Sequence, residues 1–150
     1  MILFHGTNTT VREPKIVTSG HYKDFGFGFY CTNIEEQAQR WALTRRGKHV
    51  VCLYEYEPLE GLDVKRFGGM TEEWLDFIAE CRSGIAHGHD IVDGPMADDQ
   101  VWDYVEEFIA GHISREAFWA LARFKRPTHQ IVFCTDRSLR SLTFHSSYEL

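Results

Sequence analysis

His5, Gly6 and Thr7 close the apolar opening run Met1-Ile2-Leu3-Phe4 as a short turn. A polar loop then leads to Asp24-Phe25-Gly26-Phe27-Gly28-Phe29-Tyr30-Cys31-Thr32, and the helical stretch beyond it carries Trp41. A histidine where a strand ends can offer a ring nitrogen to a sugar hydroxyl. A glycine beside it leaves a backbone N–H and C=O open to a carboxamide. Rings alternating with glycines suit a backbone that must bend or lie against a flat ligand. Tyr30 and Trp41, eleven residues apart, can face each other as two walls of a slot. Together these types describe recognition of a flat, polar, nucleotide-like molecule. Each also has a plain structural reading, His5 as a strand-end cap and Trp41 as a core residue on the apolar stripe of its helix.

Other chemistry is thinly represented. The glycines form neither a dinucleotide-binding GxGxxG nor a kinase DFG, because neither flanking context is present. His87-Gly88-His89-Asp90 has a metal-like look without further ligands, so no metal is expected. Arg45, Arg46 and Lys48 read as the solvated end of a helix, where cations suit the dipole. Cys31, Cys52, Cys81 and Cys134 lack CxxC spacing and read as reduced thiols of a cytoplasmic protein.

These residues need elements to hold them. Ile2 to Phe4 reads as a buried strand, 6–24 as loop, and Phe27 to Cys31 as strand or extended chain. Asn33 with Glu36 resembles a capping box, followed by the stripe Ile34, Ala38, Trp41 and Ala42. Val50 to Tyr56 is a run of β-formers. Thr71 opens a helix with Trp74, Phe77, Ile78 and Cys81 on one face, and Asp90 to Val92 is a brief strand. A third helix carries Val101, Val105, Phe108 and Ile109; Ser114 caps a fourth. Gln130 to Cys134 and Ser141 to Phe144 are the last strands. Strands separated by helical insertions of uneven length predict a mixed α+β fold, with residues 1–150 as a single domain.

The bulk numbers agree with an ordinary globule. The chain has 150 residues, 43% of them hydrophobic and 14% aromatic, with a net charge of −6. That charge argues against non-specific grip on nucleic acid, which needs a basic face. The opening has no basic leader and no window approaches the ~20 apolar residues of a membrane span, so no signal peptide or membrane partner is expected.

His5-Gly6-Thr7, Gly26-Phe27-Gly28-Phe29-Tyr30 and Trp41, in that order, resemble the ADP-ribosyltransferase signature of the diphtheria-toxin and poly(ADP-ribose) polymerase branch. There a strand ends in His-Gly-Ser/Thr, a Gly-x-Gly-x-Tyr segment follows, and a second stacking aromatic comes eleven residues after the tyrosine. The chain is more closely similar to a bacterial family, domain of unknown function 3990, with the pattern DFGxGFYxT…QAxxWA. Here that pattern is Asp24 to Thr32 and Gln37-Ala38-Gln39-Arg40-Trp41-Ala42. The family's acidic Gly-Pro motif is Asp90 to Asp99, and its Gln-Ile-x-Phe is Gln130-Ile131-Val132-Phe133.

The resemblance implies an ADP-ribosyltransferase-like split antiparallel β core with surrounding helices. It implies NAD⁺ as co-substrate, bound by His5, Gly6, Thr7, Phe29, Tyr30 and Trp41, with Tyr30 and Trp41 sandwiching the nicotinamide. The expected activity is mono-ADP-ribosyl transfer to an unidentified acceptor with release of nicotinamide, in the manner of a bacterial toxin that has an antitoxin protein as partner. A non-catalytic NAD- or ADP-ribose-binding module and an NAD glycohydrolase are the alternatives. Where that branch carries a strand Glu against the nicotinamide ribose, this chain has Gln130, able to hydrogen-bond but uncharged. His129 is one residue off and points to the opposite face. Some small transferases of the superfamily, such as the rifampicin-modifying kind, use a loop Asp instead. Asp98 and Asp99 are therefore candidate catalytic residues with Gln130, although acids there also suit a helix N-terminus.

Overall fold

A computed structural model describes residues 1–18, 23–97, 99–122 and 128–150. The fold is mixed α+β, with two sheets and five helices among those residues. The first sheet has β1 (Ile2–Thr7), β3 (Val50–Tyr56) and β7 (Leu142–Glu149) in the order β1-β3-β7, antiparallel throughout. The second has β2 (Phe29–Cys31), β4 (Val64–Arg66), β5 (Ile91–Gly94) and β6 (Gln130–Phe133) in the order β2-β6-β5-β4, with β4 and β5 parallel. The helices are α1 (Glu35–Leu43), α2 (Glu72–Arg82), α3 (Asp99–Ile109), α4 (Arg115–Leu121) and α5 (Asp136–Leu139).

The period of two along each strand sorts the side chains into layers. Leu3, Cys52 and Tyr54 of the first sheet meet Phe29, Cys31, Ile131 and Phe133 of the second in one buried cluster. On the outer face of the first sheet, Val51 packs against Ala38 and Ala42 of α1. The other face of the second sheet presents Val92 and Val132 to Trp74, Leu75 and Ile78 of α2, Val101 and Val105 of α3, and Phe118 of α4. The layers therefore run α1, first sheet, second sheet, α2 to α4. Asp90 ties the ends of the second sheet together: its carboxylate accepts from Asp63 N–H (2.9 Å), the Thr135 hydroxyl (2.7 Å) and the Arg137 guanidinium (2.6 Å). The Arg137 hydrogen bonds, more than burial opposes, hold that carboxyl well below the usual carboxylate range.

Four local expectations need correcting. His5-Gly6-Thr7 is not a turn, because β1 continues through it, paired with β3 as far as Thr7 opposite Val50. Asn33 does not cap α1: Ile34 occupies the N-cap with no side-chain bond, and Thr32 Oγ1 accepts the Ile34 N–H at 3.0 Å. The last strand runs to Glu149 because β3 pairs with it along its length across a bulge at Leu53/Tyr54. β4 and α5 are too short for periodicity to reveal, α5 being held by a Thr135–Ser138 capping box. Thr71 and Ser114 do cap α2 and α4, accepting from Trp74 and Ala117 N–H.

Candidate functional site

Among the described residues the two sheets touch at their edges through a single bridge. Phe4 N–H donates to Thr32 O at 2.8 Å, and Thr32 N–H returns the bond to Phe4 O at 2.9 Å. Beyond that bridge β1 and β2 do not pair, and the opening between them holds a cavity of about 240 Å³. His5, Gly6, Tyr30, Trp41 and Gln130 line it, joined by Lys23, Asp24, Thr44, Arg45 and Met96.

His5 stands on the side of β1 that faces the second sheet, its ring against Phe29 with centroids 4.2 Å apart. Its Nδ1 lies 2.6 Å from Tyr30 O. A carbonyl only accepts, so Nδ1 carries the proton and Nε2 is left as a bare acceptor. Burial, with smaller contributions from Arg45 and Lys23, pushes the pKa down to about 4 against the pull of the Tyr30 bond. The imidazole is therefore neutral at neutral pH, its Nε2 suited to receiving a hydroxyl proton.

Gly6 is a glycine for two reasons at once. A Cβ there would lie 2.0 Å from Ala38 O and 2.7 Å from Ala42 N, so only glycine lets α1 rest on β1. Phe4 directs its N–H and C=O away from β3 toward Thr32, and two residues on Gly6 directs its own the same way. Among the described residues neither group has a partner beyond the bridge. A strand edge with one free donor and one free acceptor complements an amide.

Tyr30 is fixed by its hydroxyl, which donates to Gly26 O (2.6 Å) and accepts from Phe25 N–H (3.2 Å). Burial, with the nearby Asp24 charge, raises its pKa well above the usual phenol value. Lys23 Nζ sits 5.0 Å from the centre of its ring. Trp41 projects from α1 on the cavity side of the apolar face that buries Ala38 and Ala42. The two rings border the same space.

Gln130 is 2% exposed, and its amide orientation follows from its neighbours. Nε2 donates to Asp24 Oδ2 (3.1 Å) and Pro95 O (3.3 Å), both pure acceptors, which leaves Oε1 for the cavity. Asp24 accepts also from Ala97 N–H (2.9 Å) and from Nε (2.8 Å) and Nη2 of Arg82. Arg82 in turn donates to Glu106 (2.9 Å) and lies 3.5 Å over the Trp102 ring.

Two of the expected ligand contacts fall elsewhere. Phe29 is 4% exposed in the core behind His5, and Thr7 is 5% exposed at the end of β1; neither lines the cavity. Asp98 lies outside the described residues, as does the side chain of Asp99, the first residue of α3. His129 uses its Nδ1 to accept from Asn33 N–H (3.0 Å) and its Nε2 to donate to Asp93 (2.8 Å), away from the cavity. Lys23, Asp24 and Arg45 join the lining without being among the residues the sequence singles out for the site. Arg45 reads in the sequence as a solvated helix end, and the signal for Asp24 is its place at the head of the Asp24-to-Thr32 motif.

A second cavity, of about 340 Å³, is lined by Gly26, Phe27, Cys81, His87, His89 and Cys134 among others. Among the described residues His87 and Cys134 do not form a catalytic dyad. His87 Nε2 donates to Phe25 O (2.9 Å) and so cannot act as base to Cys134, whose thiol burial pushes up to about 12. His89 is bonded to the Asp63 carboxylate at 3.1 Å, and among the described residues no group of three or more His, Cys, Asp and Glu is placed to hold a metal ion. No helix among them is long and apolar enough to cross a membrane.

Fold and cavity together define an α+β protein with a cleft at the split between two sheets, walled by aromatics and rimmed by cations. The chain belongs to the family described as protein of unknown function (DUF3990), whose model matches residues 1–144. No curated protein and no solved structure matches it.

Proposed function

We propose that the chain is a mono-ADP-ribosyltransferase of ADP-ribosyltransferase-like fold, binding NAD⁺ in the cavity between β1 and β2. The observation that carries this reading is the convergence of an open Gly6 backbone edge, a neutral His5 with a bare Nε2, two aromatic walls and the Gln130 oxygen on one cavity. The Gly6 N–H and C=O pair with the carboxamide, and Tyr30 and Trp41 enclose the nicotinamide ring. His5 Nε2 accepts from a hydroxyl of the adenosine ribose, and Gln130 Oε1 from one of the nicotinamide ribose. Lys23 and Arg45, both at the rim of the cavity, suit the pyrophosphate.

In the reaction the bond from nicotinamide nitrogen to the ribose anomeric carbon breaks with its electron pair leaving on nicotinamide. The carbon then bonds to an acceptor atom, which loses a proton. The protein's part is to hold the leaving ring stacked and to orient the ribose while positive charge grows on the sugar. One of Asp98 and Asp99 supplies the carboxylate that Gln130 lacks. Without a strand Glu the product is a single ADP-ribose unit. The acceptor is open, and action as a bacterial toxin held by an antitoxin belongs to this same reading.

One observation favours a non-catalytic NAD- or ADP-ribose-binding module instead. Gln130 is neutral, and the carboxylate behind it, Asp24, is already paired with Arg82. Nicotinamide release from NAD⁺ separates the readings. The transferase predicts turnover that falls by about 10²-fold in His5→Ala and Tyr30→Ala, the scale of losing a ground-to-transition-state contact. A binding module gives a melting shift with NAD⁺ and no turnover. Labelled NAD⁺ with cell extract then distinguishes covalent transfer from glycohydrolase action, in which water is the acceptor. NAD⁺ that neither stabilises the protein nor is consumed ends the nucleotide reading.

A further inference from the structure

We infer that Asp24 is the positioning residue of this cavity: it holds the Gln130 amide with NH₂ inward and carbonyl oxygen toward the ligand, and its charge is the reason residue 130 is an amide and not a carboxylate. Four hydrogen-bond donors converge on the Asp24 carboxylate, two from Arg82, one from Ala97 N–H and one from Gln130 Nε2. A carboxylate accepts at both oxygens and satisfies all four. An asparagine would turn its NH₂ either on Arg82 or on Ala97 and Gln130, donor against donor.

The same geometry decides what can stand at 130. Gln130 Nε2 is 3.1 Å from Asp24 Oδ2 and 3.3 Å from Pro95 O, so the inward end of residue 130 must donate to two acceptors. An ionised Glu would set a second anion against Asp24 at a site 2% exposed. A protonated Glu, by contrast, donates its single O–H inward to Asp24 and keeps its C=O toward the cavity, giving up only the longer bond to Pro95 O. Gln130→Glu is therefore a switch whose working form is the acid.

Among the described residues the groups facing this pair are Lys23 beside Asp24, Arg82 and Cys81 from α2, Tyr30 from β2, His5 from β1 and Arg45 beyond α1, with Glu106 of α3 behind Arg82. His5 is held down to about 4, Cys81 is pushed up to about 12 and Tyr30 lies above its usual value, so none of these three changes charge between pH 5 and 8. A carboxyl raised by a like charge stabilises the fold when protonated, and that contribution is lost as pH rises through its folded pKa.

The pairing stands on the protein alone; only its effect on the ligand rests on the NAD⁺ reading. The test uses the full chain as wild type, Gln130→Glu and Gln130→Met, with Tm measured from pH 5 to pH 8 with and without NAD⁺. Relative to wild type, Gln130→Glu should lose about 10 °C at pH 8, the scale of an uncompensated buried charge. At pH 5 it should come within about 2 °C of wild type, recovering NAD⁺ affinity that is weaker by tenfold or more at pH 8, about one pKa unit's worth of coupling. Gln130→Met, which can neither donate nor accept, should be impaired alike at both pH values. If Gln130→Glu is unfolded at pH 8, refolding on acidification to pH 5 is the expected result, and its remaining unfolded overturns the inference. A deficit that does not change with pH, or none at all, overturns it too. Should wild type show no shift with NAD⁺, the NAD⁺ reading fails while the ligand-free profiles still decide the role of Asp24.

Discussion

Arg45 shows how a single side chain changes meaning between sequence and structure. In the sequence it is one of three cations after a helix, where charge of that sign suits the dipole. In the fold it borders the cavity with Lys23, where burial first and the Arg45 charge second lower the Lys23 pKa. In the proposed NAD⁺ complex a cation there acts on a phosphate that is present equally before and during the reaction. Arg45→Ala should therefore raise KM for NAD⁺ by about tenfold with kcat nearly unchanged, the mark of uniform binding. Steady-state nicotinamide release at varied NAD⁺ checks this, and a loss confined to kcat would remove Arg45 from the phosphate end. His5, Gly6, Tyr30, Trp41 and Gln130 could be picked from sequence because residue type and order carried the signal. The roles of Asp24 and Lys23 could not, since Asp24 depends on Arg82, Ala97 and Gln130 and Lys23 on the Tyr30 ring and Arg45, all brought together by the fold.

At the scale of elements, the cavity exists because α1 sits directly on β1. Gly6 permits that approach, and the Ala38 carbonyl occupies the space a side chain would need. Gly6→Ala sets a methyl against backbone, which cannot rotate out of the way, so β1 and α1 must separate. The expected cost is about 2–4 kcal/mol, at or beyond the upper end of ordinary overpacking, seen as a Tm lower by roughly 5–15 °C. Ligand binding should fall with it, because Trp41 rides on α1. A Gly6→Ala variant with unchanged Tm would show that the helix is not seated this closely. Caps at Thr71 and Ser114 were legible because the capping residue and its partner lie within one turn. The continuation of β1 through Gly6 was not, because glycine has no strand preference and the pairing with Val51 is a tertiary event.

For the whole molecule, layering decides what is reactive. Cys31, Cys52 and Cys81 are buried; burial also raises the thiols of Cys31, Cys81 and Cys134, so alkylation has little thiolate to attack. Native protein at pH 7.5 should resist iodoacetamide for hours, and unfolding in guanidinium should expose all four cysteines to it. Mass spectrometry of the intact chain reads the count. Rapid labelling of one thiol in the native state would contradict this layering.

The sequence by itself determined the α+β character, the long strand Val50–Tyr56, the helices with clear apolar faces and the order of residues that mark a cavity. These are local properties: periodicity and cap chemistry act over one or two turns, and residue type is read directly. Only the tertiary structure decided that His5, Tyr30, Trp41 and Gln130 border one space, that Phe29 and Thr7 are withheld from it, and which way the Gln130 amide points. Those facts arise where β1 and β2 part after one bridge and where Arg82, Ala97 and Gln130 meet on Asp24. Contacts between residues 106 positions apart leave no periodic trace in a single chain, because what selects them is the need of a buried carboxylate for four donors.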